Sequence, residues 1–347
     1  MHSNGLPHYF HVMKFGIIGG GSWATALAKM LADNEHSFNW WIRNEKVISH
    51  LRRRKHNPHY LSSVYFNPGL LTLSSDLEKV VMDSDILLVC IPSAYLLAHL
   101  QDLPKDLLKG KKILSAIKGI IPGTNQLLNE YLQENFNIPV CDYFTVMGPC
   151  HAEEVAAEKL SYLTFSGENV GEAEEIAAHF KTYYINTVVS HDIWGTQYAA
   201  VLKNIYAVGA GIAHGLEYGD NFLSVYIAST ADEMVRFLRK VMEHKQAPDT
   251  NKINYANSVY LGDLLVTCYS PYSRNRTFGN MIGKGYSVRV AQLEMNMVAE
   301  GYPASKGLFE TNRIICADMP IAETIYKILW EDISAEDGFV AIERALS

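Results

Sequence analysis

The chain has little cysteine, and none of it stands in an arrangement that binds a metal or builds a disulfide framework. Its five cysteines are scattered over 347 residues, and no two form a CxxC pair. This usage is typical of reduced thiols, so we expect a cytoplasmic protein. Thirteen histidines form no HExxH motif and no other zinc spacing, so we expect no metal.

An excess of positive charge, a long apolar run and a signal peptide are also missing. The formal net charge of −7 argues against broad nucleic-acid binding. No apolar run reaches the roughly 20 residues that cross a bilayer, so we expect no membrane insertion. We expect polar residues 1–12 to be a flexible extension before the first strand, with Met13 as an alternative start.

A glycine-rich turn near the N-terminus is the most informative feature present. Residues 14–18 look like a strand, residues 19–24 read GGGSWA, and an apolar helix pattern follows over 25–32. Gly19, Gly21 and Ala24 fit the GxGxxG/A fingerprint, in which the glycines permit a tight turn and close approach to a pyrophosphate. The helix N-terminus adds free N–H groups and a positive dipole end. The motif predicts a dinucleotide-binding unit; a glycine turn without a ligand is the alternative.

Strand and helix patterns alternate up to about residue 190 and then change. Strands are predicted over residues 37–42, 85–92, 111–117, 142–147, 160–166 and 184–190, and helices over 124–136, with Thr124 as the cap, and 172–182. From residue 193 the apolar spacing is helical, with further helices predicted over 220–244 and 287–319. The length also favours two domains. The predicted fold class is α/β plus all-α: an NAD(P)-binding, Rossmann-like doubly wound parallel sheet over residues 13–190, then an all-helical substrate domain over residues 191–347.

Arg43 ends the second predicted strand, where NAD-preferring domains place an acidic residue for the ribose 2′-hydroxyl. An arginine there suits a 2′-phosphate, so NADPH is expected to be accepted. A surface arginine at a strand end is the alternative. The basic run over residues 52–55 looks like a solvated helix face.

Polar groups in the second half are candidates for the chemistry. Lys203 lies in an apolar helical stretch, where it must be paired, snorkelled or functional, and desolvation would lower its pKa toward a range useful for proton transfer. Asp263 and Thr267 share one helix face. Arg274 and Asn275 offer a planar donor fork and an amide, which suit a phosphate; solvated loop residues are the alternative.

These segments together resemble the bacterial soluble type of NAD(P)-dependent glycerol-3-phosphate dehydrogenase, from about residue 14 to 330. The motifs that carry the resemblance are GGGSWATALA at 19–28, KGI at 118–120, GP at 148–149 with Ala152 and Glu154, LKN at 202–204, GDL at 262–264 with Thr267 and Cys268, SRNR at 273–276, VAEGY at 298–302 and MPI at 319–321.

The resemblance implies an oxidoreductase that uses NADPH or NADH to reduce dihydroxyacetone phosphate to sn-glycerol 3-phosphate for glycerophospholipid synthesis. It also implies a homodimer through the helical domain. Lys203 would be the proton donor and acceptor. The cofactor would be bound by Gly19, Gly21, Ser22, Trp23, Arg43, Tyr60, Lys118, Ala152, Arg274, Val298 and Glu300. The substrate would be bound by Lys118, Gly148, Cys150, Lys203, Asp263, Thr267, Ser273, Arg274 and Asn275.

The chain departs from the family pattern at two places. Cys150 and His151 stand where the family usually has Ser or Thr and then Phe, and STA at 229–231 replaces TRG, which removes an arginine. A thiol is a weak donor, so a substrate contact at residue 150 is absent or made by the backbone.

Two other functions remain open from the residues. Another dehydrogenase of similar architecture, such as a 3-hydroxy acid dehydrogenase or a ketopantoate reductase, has no evident need for the Arg274–Asn275 element. A non-catalytic NADPH sensor predicts the loss of Lys203 or Asp263, and both are present.

Overall fold

The computed structural model describes residues 13–246, 253–295 and 298–346, so the expectation for residues 1–12 lies outside the described residues. An eight-stranded sheet forms the first half. Its strands are β1 (Phe15–Ile18), β2 (Phe38–Trp41), β3 (Leu71–Ser74), β4 (Ile86–Val89), β5 (Lys112–Ser115), β6 (Tyr143–Met147), β7 (Ser161–Ser166) and β8 (Ile185–Ser190). They lie in the order β3-β2-β1-β4-β5-β6-β7-β8. Every residue of β1 and β4 is buried, as expected of strands covered on both faces.

Helices cover this sheet and make up the second half of the chain. Those among the strands are α1 (Ser22–Asp33), α2 (Glu45–Arg54), α3 (Leu77–Met82), α4 (Ser93–Leu100), α5 (Leu128–Phe136), α6 (Ala152–Ala156) and α7 (Val170–Ala178). Those after the sheet are α8 (Ile193–Gly215), α9 (Asp220–His244), α10 (Asp263–Tyr269), α11 (Arg274–Gly283), α12 (Val288–Glu294), α13 (Gly301–Ile315), α14 (Pro320–Trp330) and α15 (Ala335–Ala345). The α/β plus all-α fold class is confirmed. Within the described ranges, no helix combines the length and apolarity needed to cross a membrane.

The expectation of a wholly parallel sheet is wrong at one position. β6 and β7 pair antiparallel, with Thr145 opposite Ser166, whereas the other neighbours pair parallel. Their connection, residues 148–160, contains only the short α6, so the chain turns back beside β6 instead of crossing a face of the sheet. Strand β3 was not predicted, because its four residues are mostly polar or partly exposed.

Three predicted helices also have different limits, and the one predicted over 172–182 is α7, Val170–Ala178. The helix predicted from Thr124 begins at Leu128, because Gly123 has a positive φ of 91° and turns the chain first. Glu130 accepts a hydrogen bond from the backbone N–H of Leu127, 2.9 Å away, and so completes the first turn. The predicted helix over 287–319 is divided into α12 and α13, and Val298 and Glu300 lie between them.

Helix α8 is the centre of the helical half. Almost all of its residues are buried, and α9, α10, α11, α13 and α14 pack around it. Glycines let α11 approach it closely: a Cβ at Gly279 would stand 1.9 Å from the carbonyl oxygen of Val208, and one at Gly211 would stand 2.1 Å from that of Arg276. This close packing fixes the position of the side chains that α8 presents.

We predict that Gly279→Ala destabilises the protein by about 1–3 kcal/mol or more, since the new methyl group overlaps backbone that has no free space. Gly171→Ala on α7 is the matched control, because its nearest new neighbour would be 3.5 Å away. That control is expected to be neutral or to stabilise by about 0.5–1 kcal/mol. Urea denaturation measures both, and equal stability of the two variants would contradict the packing argument.

Candidate active site

The glycine turn after β1 has the shape that a pyrophosphate requires. Gly19 has a φ of +132°, and a Cβ there would lie 2.8 Å from the carbonyl oxygen of Cys90. Gly21 precedes α1 and provides no side-chain cap, no atom lies within 4 Å of where its Cβ would be, and the first turn of α1 contains no acidic residue. The free space and the N–H groups from Ser22 onward therefore fit an anion at the helix N-terminus.

A buried asparagine that sequence reasoning missed braces this turn. Asn57 donates hydrogen bonds to the carbonyl oxygen of Gly20 and to Oγ1 of Thr25, both at 3.1 Å. Its Oδ1 accepts from the N–H groups of His59 and Tyr60. It thus places half-buried Tyr60 beside the turn. The Asn57-Pro58 pair was a turn signal that could have indicated this loop.

Arg43 is exposed just after β2, at the same carboxyl edge of the sheet as the glycine turn. Burial lowers the pKa of His99 on α4, and the positive charge of Arg43 lowers it further. The charge of Arg43 is therefore close enough to α4 to act on His99. The adjacent basic run is exposed at the end of α2, and Arg52 donates to the carbonyl oxygen of Leu73 at 2.8 Å.

Lys203 and Asp263 form a buried ion pair between α8 and α10. Lys203 Nζ donates to Asp263 Oδ1, and the two side chains are only 5% and 2% exposed. Burial lowers the pKa of Lys203 to about 8; Asp263 opposes this shift and the charge of Lys118 adds to it. Asp263 Oδ2 is buried and has no hydrogen-bond partner among the described residues. The pair therefore combines a lysine that can exchange a proton near neutral pH with a free carboxylate oxygen.

Lys118 connects this ion pair to the cofactor side. Its Nζ lies 4.8 Å from the centre of the Trp23 ring, in the first turn of α1. Burial raises the pKa of Glu300, while Arg274, Lys118 and Lys203 oppose that shift. Trp23 Nε1 and Glu300 Oε2 are both buried without a partner in the described structure. The structure thus brings these predicted residues together in one cluster that contains unused polar atoms.

A chain of neutral amides joins three helices next to this cluster. Asn204, beside Lys203 on α8, donates to the carbonyl oxygen of Lys118 at 3.3 Å. Asn275 donates to Asn204 Oδ1 at 2.9 Å and accepts from the N–H of Gly301 at 2.9 Å. Asn275 is therefore largely occupied by structural bonds. Asn204 was noticed only as part of a motif and was not predicted as a site residue.

The predicted phosphate-binding residues have unequal freedom. Ser273 is buried as the N-cap of α11 and accepts from the N–H of Arg276 at 3.3 Å. Thr267 donates its hydroxyl to the carbonyl oxygen of Asp263 at 2.5 Å. Arg274 is exposed in the first turn of α11, and its Nη1 lies 3.5 Å from the carbonyl oxygen of Val298. Its guanidinium is the freest of these groups to take a phosphate.

The segment after β6 lies near the cluster formed by Lys118, Lys203 and Asp263. Gly148 has a φ of +132°, and a Cβ there would meet the carbonyl oxygen of Tyr162 at 2.8 Å. Burial raises the pKa of Cys150 to about 12, with Lys118 opposing, so the thiol stays neutral. Burial and the charges of Lys203 and Lys118 lower the pKa of His151 to about 4. Ala152 is the buried first residue of α6.

The departure at residues 229–231 lies on α9. Thr230 is buried and donates to the carbonyl oxygen of Ile227 at 2.8 Å. Nothing in the structure explains the missing arginine.

Comparison with known proteins identifies the family. The model of the NAD-dependent glycerol-3-phosphate dehydrogenase N-terminus matches residues 14–173, and that of the C-terminus matches residues 192–339. The chain is 33% identical over 328 residues to the glycerol-3-phosphate dehydrogenase [NAD(P)+] of Bacillus cytotoxicus, covering 94% of this chain and 93% of that protein.

Solved structures agree with this assignment. The crystal structure of glycerol-3-phosphate dehydrogenase from Coxiella burnetii has a TM-score of 0.85 and 25% identity, over 96% of this chain and 99% of that one. A ketopantoate reductase from Ralstonia eutropha has a TM-score of only 0.55 and 13% identity, over 94% of this chain and 99% of that one, which is a likeness of fold alone. The predicted resemblance is confirmed: this chain belongs to the family of NAD-dependent glycerol-3-phosphate dehydrogenases.

Proposed function

We propose that the chain is an oxidoreductase that uses NAD or NADP to interconvert dihydroxyacetone phosphate and sn-glycerol 3-phosphate. The observation that carries the proposal is the buried Lys203–Asp263 pair, which has a free carboxylate oxygen and belongs to the same cluster of charged side chains as Lys118 and Glu300. The retained pair also argues against a non-catalytic cofactor sensor.

The cofactor site fits a dinucleotide through the chain's own groups. The space at Gly21 and the N–H groups of α1 suit the pyrophosphate, Arg43 suits a 2′-phosphate, and Tyr60 stands beside the adenosine end. The remaining contacts are assigned to Gly19, Ser22, Trp23, Lys118, Ala152, Arg274, Val298 and Glu300. The bound nicotinamide supplies or accepts the hydride.

Lys203 moves the proton. In the direction of reduction, negative charge grows on the ketone oxygen, and protonated Lys203 donates to it. Lys118 adds positive potential at the same place. Asp263 Oδ1 keeps Lys203 in position, and Oδ2 is free to accept a hydrogen bond from the hydroxyl of the reacting carbon. In oxidation, neutral Lys203 takes the proton from that hydroxyl.

The phosphate group of the substrate would be bound at a distance from the reacting carbon. Arg274 supplies the exposed guanidinium, and the first turn of α11, including Ser273 and Asn275, faces the same region. The assignment extends to Gly148, Cys150 and Thr267. Gly148 has only backbone to offer, and the other two act through backbone or packing because the Cys150 side chain is buried and the Thr267 hydroxyl donates to Asp263. Anchoring the phosphate places the ketone beside Lys203.

The setting of the enzyme completes the proposal. The two parts of the chain divide near residue 190, between β8 and α8.

A homodimer through the helical half is supported by exposed Val225 and the cavity beside it on α9, and light scattering tests it. Five free cysteines suit the reducing cytoplasm, where sn-glycerol 3-phosphate would supply glycerophospholipid synthesis.

We predict that the purified chain oxidises NADPH rapidly with dihydroxyacetone phosphate and much more slowly with unphosphorylated dihydroxyacetone. Lys203→Ala should lower kcat about 10²–10⁴-fold, the range of general acid catalysis, while NADPH binding is retained. Lys306→Ala on α13, where Nζ covers the Trp330 ring, is the control.

The pH dependence has a definite sign. Reduction needs protonated Lys203, so its rate should fall as pH rises through about 8, and oxidation should rise there. Near-normal turnover of Lys203→Ala would remove the lysine from this role, and no reaction with the unaltered chain would overturn the proposed function.

We predict that Arg274→Ala raises KM for dihydroxyacetone phosphate about 10-fold or more, because a charge-assisted hydrogen bond to the phosphate is lost. Arg274→Lys should recover part of the loss, since lysine keeps the charge without the planar fork. Activity with unphosphorylated dihydroxyacetone should fall much less, because that compound has no phosphate for Arg274 to bind. Steady-state kinetics measure this, with exposed Arg313→Ala as control; an unaltered KM would contradict the phosphate assignment.

We predict that Arg43→Asp lowers the ratio of kcat/KM for NADPH to that for NADH about 10-fold or more. The aspartate repels a 2′-phosphate and can accept from a 2′-hydroxyl instead. Exposed Arg289→Asp on α12 gives the same charge change far from the turn. A ratio that moves equally in both variants would make Arg43 an ordinary surface residue.

A further inference from the structure

His151 holds a polar atom that the proposed reaction leaves unused. Its Nε2 is buried and has no hydrogen-bond partner in the described part of the chain. Leaving a buried acceptor or donor unpaired costs about 1–3 kcal/mol. The residue is the N-cap of α6, but it makes no side-chain cap bond to that helix, so the ring is free to reach elsewhere.

The ring crosses from the sheet toward the helices that hold the substrate machinery. The backbone of Val266, on α10 between Asp263 and Thr267, acts to raise the pKa of the imidazole, and the centre of the imidazole ring lies 6.3 Å from that of the Tyr272 ring. Its pKa responds to Lys203, Lys118 and Asp263. The imidazole therefore lies in the field of the same three charges that surround the reacting carbon.

The contacts also select a tautomer. The backbone of Val266 acts to raise the pKa of the imidazole, which means that it favours the protonated ring. A backbone group with this effect is an acceptor, so the group is the carbonyl oxygen of Val266. Since Nε2 is the nitrogen without a partner, we assign the proton to Nδ1, toward the backbone of Val266. A pKa of about 4 keeps the ring neutral at physiological pH, and Nε2 then presents a lone pair.

The substrate offers a donor that fits this lone pair. Dihydroxyacetone phosphate has a single hydroxyl, at the end of the molecule opposite the phosphate. Lys203 is engaged at the reacting carbon and Arg274 at the phosphate. Asp263 Oδ2 is assigned to the hydroxyl that forms on the reacting carbon, so the terminal hydroxyl has no assigned partner. We infer that His151 Nε2 accepts a hydrogen bond from the terminal hydroxyl of the substrate and so selects for it; this inference rests on the proposed function.

The experiment compares dihydroxyacetone phosphate with hydroxyacetone phosphate, in which a methyl group replaces the terminal CH₂OH. In the unaltered chain, kcat/KM should favour the compound with the hydroxyl, because its absence leaves Nε2 unpaired. His151→Phe keeps a ring of similar size but removes both nitrogens. It should reduce that preference about 10-fold, mainly by raising KM for dihydroxyacetone phosphate. Tyr272→Phe is the control, since it keeps the neighbouring ring and should leave the preference unchanged.

A second measurement uses the unaltered protein and does not depend on the variant's folding. With ¹⁵N-labelled histidine, and His151→Gln to assign the signal, the Nε2 resonance should shift toward its hydrogen-bonded position with dihydroxyacetone phosphate in the ternary complex. Hydroxyacetone phosphate should leave it in place. Identical spectra with the two compounds would overturn the inference.

The outcomes separate this inference from the function on which it rests. If the unaltered chain reduces neither compound, the proposed function fails and the inference with it. If it reduces dihydroxyacetone phosphate but His151→Phe changes both substrates equally, or changes neither, only the inference fails. The first of those results would make His151 a packing residue, and the second would give the hydroxyl to another acceptor.

Discussion

The site depends on the burial of one ammonium group beside one carboxylate. A charge taken out of water is costly, and it persists because its partner and its packing are fixed. Lys203 meets this condition because α8 is enclosed by other helices and because α10 presents Asp263 directly to it. The same burial that makes the pair costly lowers the lysine pKa toward neutrality, so the feature that strains the core also creates the reactivity.

The sheet and the helices each supply part of the candidate site. The turns after β1, β2, β5 and β6 meet at one edge because most strands run parallel. That edge carries the glycine turn, Arg43, Lys118 and His151. The helical half contributes the ion pair and the exposed Arg274. Neither half alone provides both the proposed proton donor and the glycine turn proposed to bind the dinucleotide.

The sequence predicted correctly those helices, strands and turns that are determined by their own residues. The glycine turn, the buried strands and the helix Asp220–His244 follow from spacing and residue type. The antiparallel β7 and the break before Gly301 depend on tertiary contacts, whereas the late start of α5 depends on a turn at Gly123 that the helical spacing does not reveal. Gly301, for example, packs against the carbonyl oxygen of Asn204 and binds Asn275, and no periodicity in residues 287–319 records that contact.

The candidate site divides in the same way. Lys203 could be singled out because a lysine is rare in an apolar helix, and Asp263 because it opens a helix within a distinctive motif. Asn57 and Asn204 carry no such signal, since a buried amide looks like any surface asparagine until its partners are known. Ser273 and Thr267 were predicted as substrate-binding residues, and that stays a prediction; the structure adds that each hydroxyl makes one hydrogen bond to its own helix.

The amide chain through Asn204, Asn275 and Gly301 has a consequence for how the enzyme tolerates its surroundings. Amides do not titrate, and hydrogen bonds between neutral groups are little affected by salt screening. The frame that joins α8, α11 and α13 to the Lys118 loop therefore keeps its geometry while the proton on Lys203 comes and goes. Acidity and ionic strength can thus change the rate of turnover without loosening the scaffold that aligns the reacting groups.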